Sequence, residues 1–165
     1  MPSQISFIAK ILLLTLLGAL LTISANAQKC SQQSGVEARV RAVAEGIIAA
    51  DNRRDLKRVL AFYLPDAILM PPAEGLVVGV ENIRPRYQTL FANFQPEIEA
   101  RIEQVCVRDD LAVVRGHNGG RLVGIGGNAS RDLDDVYVMI LRRNQKGVWR
   151  ISHLIWHRAS APIAP

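Results

Sequence analysis

Glu97-Ile98-Glu99-Ala100-Arg101-Ile102-Glu103 is where the chain changes its period. Acids and Arg101 alternate with Ile98, Ala100 and Ile102, the signature of a half-buried strand. Downstream, Asp109-Asp110 supplies a turn, and 111–117, 134–143 and 148–157 read as three further strands. Asn144-Gln145-Lys146-Gly147 is the last hairpin turn. Upstream the spacing is helical. Ser34-Gly35-Val36-Glu37 has the form of a capping box, and Val36, Val40, Val43 and Ile47 make one apolar stripe that stops near Asp51-Asn52-Arg53-Arg54. Asp55 caps a second short helix with Leu56, Val59, Leu60 and Tyr63, which Leu64-Pro65-Asp66 breaks. A short strand at 67–70 ends at Pro71-Pro72, and Glu74-Gly75 turns into Leu76-Val77-Val78. After Gly79 a third helix starts near Glu81, with Ile83, Tyr87, Leu90, Phe91 and Phe94 at spacings of three and four. Helices first and a strand meander afterwards predict an α+β fold, three N-terminal helices covering one face of an antiparallel sheet.

The 165 residues, 49% of them apolar and 21% charged, suit one domain and exclude a wholly disordered chain. No array of repeats is visible. Residues 1–27 hold a single charged side chain, Lys10, followed by the run Ile11-Leu12-Leu13-Leu14 and ending in Ala25-Asn26-Ala27. A positive start, an apolar stretch shorter than the roughly 18–20 residues of a membrane span, and small residues before the cut read as a secretory signal peptide. The alternative is an uncleaved anchor lengthened by Phe7 and Ile8. Cleavage after Ala27 leaves a flexible segment at 28–34, a domain at 35–158 and a loose Pro-containing tail at 159–165, with no membrane span and a periplasmic or secreted location.

Loss of the leader takes one positive charge from the formal +5, and most of the basic residues are Arg. They are scattered between acids with no run of five or more like charges, so a nucleic-acid partner is not expected. An oxidising compartment permits a Cys30–Cys106 disulfide. A buried Cys106 and a loose Cys30 is the other reading. Gly124-Ile125-Gly126-Gly127-Asn128-Ala129 fits a dinucleotide-loop pattern, but Ser130-Arg131-Asp132 follows in place of an apolar helix. His153 and His157 lie about 13 Å apart along a strand, too far for one ion, so neither metal nor cofactor is expected.

The order of elements and several strings resemble the nuclear transport factor two-like superfamily, and within it the SnoaL-like and ketosteroid-isomerase-like small domains. Ala50-Asp51-Asn52-x-x-Asp55, Tyr63-x-x-Asp66-Ala67, Pro71-Pro72, Gly79-x-x-x-Ile83 and Gly147-Val148-Trp149-Arg150-Ile151 with His153 carry the resemblance, over about 35–158. It implies a strongly curved sheet wrapped against helices into a cone, a pocket at the wide end, and a homodimer through the outer sheet face. The superfamily holds both enzymes and proteins with no chemistry. Steroid isomerase chemistry is not expected, because Pro71, Ile47 and Met139 stand where the base, the tyrosine and the acid belong.

Strand parity selects the polar groups of the pocket. Trp149, Ile151 and His153 share a parity, which turns His153 inward as an acid–base candidate or as a core histidine satisfied by backbone. Arg115 and His117 share a face of one strand, Asp135 and Tyr137 a face of the next. With both pairs inward, Arg115 or His153 pairs with Asp135, an arrangement that resembles the Asp–Arg pair of the superfamily's epoxide hydrolases. Tyr63, Met70, Tyr87 and Phe91 complete the lining. Two functions follow: an exported protein that binds a small apolar or aromatic molecule, and a cofactor-free hydrolase, isomerase or cyclase acting through Asp135 and His153.

Overall fold

A computed structural model describes residues 34–159. The leader, Cys30 and the remainder of the C-terminal tail lie outside the described residues. The described chain runs α1 (Ser34–Asn52), α2 (Leu56–Ala61), β1 (Tyr63–Met70), β2 (Val77–Val78), α3 (Val80–Asn93), β3 (Phe94–Arg108), β4 (Leu111–Gly124), β5 (Arg131–Arg143) and β6 (Trp149–Arg158). The six strands form one sheet in the order β2-β1-β6-β5-β4-β3. Every pair is antiparallel except β1 with β6, which is parallel because the chain crosses the whole sheet before returning beside β1. Among the described residues no helix is long and apolar enough to cross a membrane.

The expected α+β cone is therefore present, with four corrections of extent. Tyr63 opens β1 instead of closing α2, and Phe94 opens β3 instead of closing α3. Pro65 sits inside β1, tolerated because the β1–β6 pairing skips from Tyr63 to Ile68 and leaves the intervening residues out of the ladder. Ala159 is not loose, since its N–H donates to Asp134 O at 2.7 Å. The Asp55 cap forms as read, its carboxylate accepting from Arg58 N at 2.9 Å.

Val40, Ala44 and Ile47 of α1 pack onto Val114, Leu141 and Ile151 of the sheet, all nearly inaccessible. This is one half of the cone. At the other half two hydrogen-bonded clamps tie the helices to the sheet. Asn52 Nδ2 donates to Ile98 O at 2.9 Å while Ile98 N donates to Asn52 Oδ1 at 2.8 Å, pinning the end of α1 to β3. Tyr63 Oη and Tyr87 Oη share a buried hydrogen bond of 2.8 Å that ties β1 to α3.

Candidate functional site

Between α1, α3 and the far end of the sheet lies a cavity of about 780 Å³, within the usual range for small-molecule sites. Its walls are mostly apolar: Ile47 and Ile48 from α1, Leu90 from α3, and Leu122, Leu133, Met139, Leu154 and Trp156 from the sheet. Ile47 and Met139, read as inert, are indeed wall residues. Pro71 is buried outside the lining, and Pro72 takes part instead.

Into this apolar space project Asp51, Asn118, Asp135, Tyr137 and Arg131. Asp51 is only 7% exposed and its Oδ1 has no hydrogen-bond partner. Burial pushes its carboxyl up to about 8, so the group is largely neutral at neutral pH. Asn118 Oδ1 is likewise buried and unpartnered. Asp135 is raised by partial burial, against the lowering effect of Arg158 opposite it. Burial raises the phenols of Tyr63 and Tyr87, and the nearby charge of Asp51 adds to the rise. At the rim Arg86 forms a bidentate ion pair with Glu74 and lies 5.7 Å from the centroid of the Trp156 ring.

Of the residues expected in the pocket, Tyr87, Asp135 and Tyr137 line it, while six do not. Tyr63 and Phe91 belong to the core beside it, in tilted contact with the Tyr87 ring. Met70 lies opposite Ile155 on the outer face, and its neighbour Leu69 points in. Arg115 and His117 also point out, because the inward parity of β4 is that of Ala112, Val114 and Asn118. They are satisfied there, Arg115 by Glu103 and His117 Nε2 by Asp134 Oδ1 at 2.6 Å. His153 is turned outward by a bulge at Ser152, which puts Leu154 and Trp156 in the cavity in its place. Its Nδ1 lies 3.1 Å from Ser152 Oγ. Neither Arg115 nor His153 reaches Asp135.

Asp51, Asn118, Arg131 and Trp156 were missed. For Asp51 a signal existed: Val40, Ala44, Ile47 and Asp51 follow one another at helical spacing, so the carboxylate is the next position of the buried stripe. Asp-Asn read as a helix stop hid it. Among the described residues no group of three or more His, Cys, Asp or Glu side chains is arranged to hold a metal ion.

The family model of the SnoaL-like domain matches residues 44–151. No curated protein matches the chain. Among solved structures, a ketosteroid isomerase-like protein from Erwinia carotovora atroseptica is similar, at 24% identity and a TM-score of 0.69, over 76% of this chain and 97% of that one. A conserved protein from Planctomyces limnophilus matches at 20% identity and a TM-score of 0.70, over 74% and 95%. A nuclear transport factor 2-like superfamily protein from Salmonella enterica matches at 13% identity and a TM-score of 0.68, over 78% and 94%. At such identities the likeness is one of fold.

Proposed function

Since the chain belongs to the SnoaL-like domain family, whose fold carries both binding proteins and enzymes, we propose that it is an exported protein that binds a small, mostly apolar molecule in its cavity. The observation that carries this reading is the cavity itself, apolar over most of its wall and holding a buried Asp51 Oδ1 without a partner. A structural core would fill such a space or satisfy such an atom. Native mass spectrometry of the protein purified from its own host tests it. A small molecule retained in the gas phase supports the reading, and a bare protein that also takes up no apolar probe in solution overturns it.

Export rests on the leader at 1–27 and agrees with Cys106 being disulfide-bonded, a state that an oxidising compartment sustains. N-terminal sequencing should return Gln28. Met1 intact on soluble protein would refute the cleavage.

A second reading, a cofactor-free acid–base enzyme, is favoured by one observation: a carboxyl at about 8 inside the cavity can both take and give a proton near neutral pH. In this reading Asp51, not His153, does the proton transfer. Turnover of any substrate should then vanish in Asp51→Asn while binding persists.

A further inference from the structure

The β4–β5 register gives the cavity a depth scale. Inward-facing partners run from Arg131 opposite Leu122, through Leu133 opposite Gly120 and Asp135 opposite Asn118, to Tyr137 opposite Gly116. Arg131 is exposed at the mouth and Tyr137 is only 3% exposed at the inner end. Each step of two residues is about 6.6 Å, so Asn118 lies about 13 Å inward of Arg131. Asp51 hangs from the opposite wall at a comparable depth, because Asn52 is bonded to Ile98, and Ile98 is the β3 partner of Gly120.

The two ends of this scale have different chemistry. At the buried end Asp51 Oδ1 and Asn118 Oδ1 have no hydrogen-bond partner, and the half-buried Asp135 carboxyl lies opposite Asn118. Unpartnered acceptors in a mostly apolar space call for a donor, and a neutral hydroxyl supplies one at a smaller desolvation cost than a cation. The mouth offers a cation. Arg131 stacks its guanidinium 4.9 Å from the centroid of the Phe94 ring and makes no ion pair among the described residues. The neighbouring acids are engaged elsewhere, Glu74 by Arg86 and Asp132 by Arg121. Arg131 is thus left to face the opening without a compensating carboxylate, and its planar fork fits a carboxylate.

Resting on the reading of the cavity as a ligand site, we infer that it takes an elongated apolar hydroxy acid, hydroxyl inward between Asp51 and Asn118 and carboxylate outward on Arg131. Three fluorescent probes of one ring system separate the contributions: 6-hydroxy-2-naphthoic acid, 2-naphthoic acid and 2-naphthol. The hydroxy acid should bind at least about tenfold more tightly than either single-group analogue. Asp51→Leu should erase its advantage over 2-naphthoic acid and keep its advantage over 2-naphthol, and Arg131→Leu should do the reverse. Asp51→Asn, which keeps an acceptor oxygen, should retain part of the hydroxyl preference, and thermal melts confirm that each variant is folded. If the probes bind, are displaced by the bulky Leu133→Trp, and yet show neither preference, the hydroxy-acid inference falls and the cavity reading stands. If no probe binds the unmodified protein, both fall.

Discussion

His153 stands opposite Ile140 on the outer face of the sheet, one residue out of step with the Ile151–Leu141 pair beside it. The extra residue is Ser152, whose hydroxyl donates to Ile140 O at 3.1 Å. A bulge of one residue reverses the facing of everything beyond it. Ile151 is therefore core, and Leu154 and Trp156 are cavity wall. Glu103 does the same on β3, where Ile102 lies opposite Gly116 and Gln104 opposite Arg115.

Removing the imidazole should accordingly leave the cavity alone. His153→Gln is expected to hold the melting temperature within a few degrees, a change near ~0.5 kcal/mol, and to bind 2-naphthoic acid with unaltered affinity. A large loss of affinity in a fluorescence titration would place His153 back in the site.

Asp51 should make stability fall as pH rises. An unfolded carboxyl ionises near its ordinary value of about 3.9, whereas burial holds Asp51 protonated up to about 8 in the fold. Below this window both states carry the proton. Within it the folded state holds one more, so stability declines with pH by up to about 1.4 kcal/mol per unit. Above it both are ionised and the stabilisation is gone. Urea midpoints from pH 5 to 8 should fall more steeply for the natural protein than for Asp51→Asn. Parallel slopes would contradict the buried neutral carboxyl.

Gly116 lets Tyr137 lie across β4. The two are register partners, and a Cβ at Gly116 would stand 2.6 Å from Tyr137 Oη and 2.5 Å from Arg101 O. Tyr137 is both core and cavity wall, so it cannot move freely. Gly116→Ala should cost roughly 1–3 kcal/mol in chemical denaturation, whereas Gly119→Ala, whose nearest neighbour is His117 at 3.7 Å, should cost far less.

A homodimer through the outer sheet face is expected. Simple alternation along β3 would put Ile98 and Ile102 on one face and Val105 and Val107 on the other. The bulge at Glu103 puts Ile102 and Val105 alike against the core. The outer face gains its apolar character elsewhere, from Val113 and Ile140 on one rung and Val138, Ile155 and Met70 on the next. Light scattering at tens of micromolar should give twice the chain mass, and Val138→Glu should give the monomer. A monomer in the unmodified protein would end this expectation.

The elements were legible in the sequence because each is set by local chemistry. The alternation at 97–103, the Asp55 cap and the stripe through Val40 and Ile47 are periodicities and end signals that depend on near neighbours alone. That Asp135 and Tyr137 share a face was legible too, since β5 keeps strict alternation from Arg131 to Leu141 against β4, but alternation does not say which face turns inward. Tertiary structure alone decided the rest of the site. A bulge is a relation between two strands, so nothing within β6 announces that Ser152 turns His153 outward and Trp156 inward. Whether Asp51 ends a helix in water or projects into a cavity depends on where Asn52 is bonded, and Ile98, 46 residues further along the chain, holds it there.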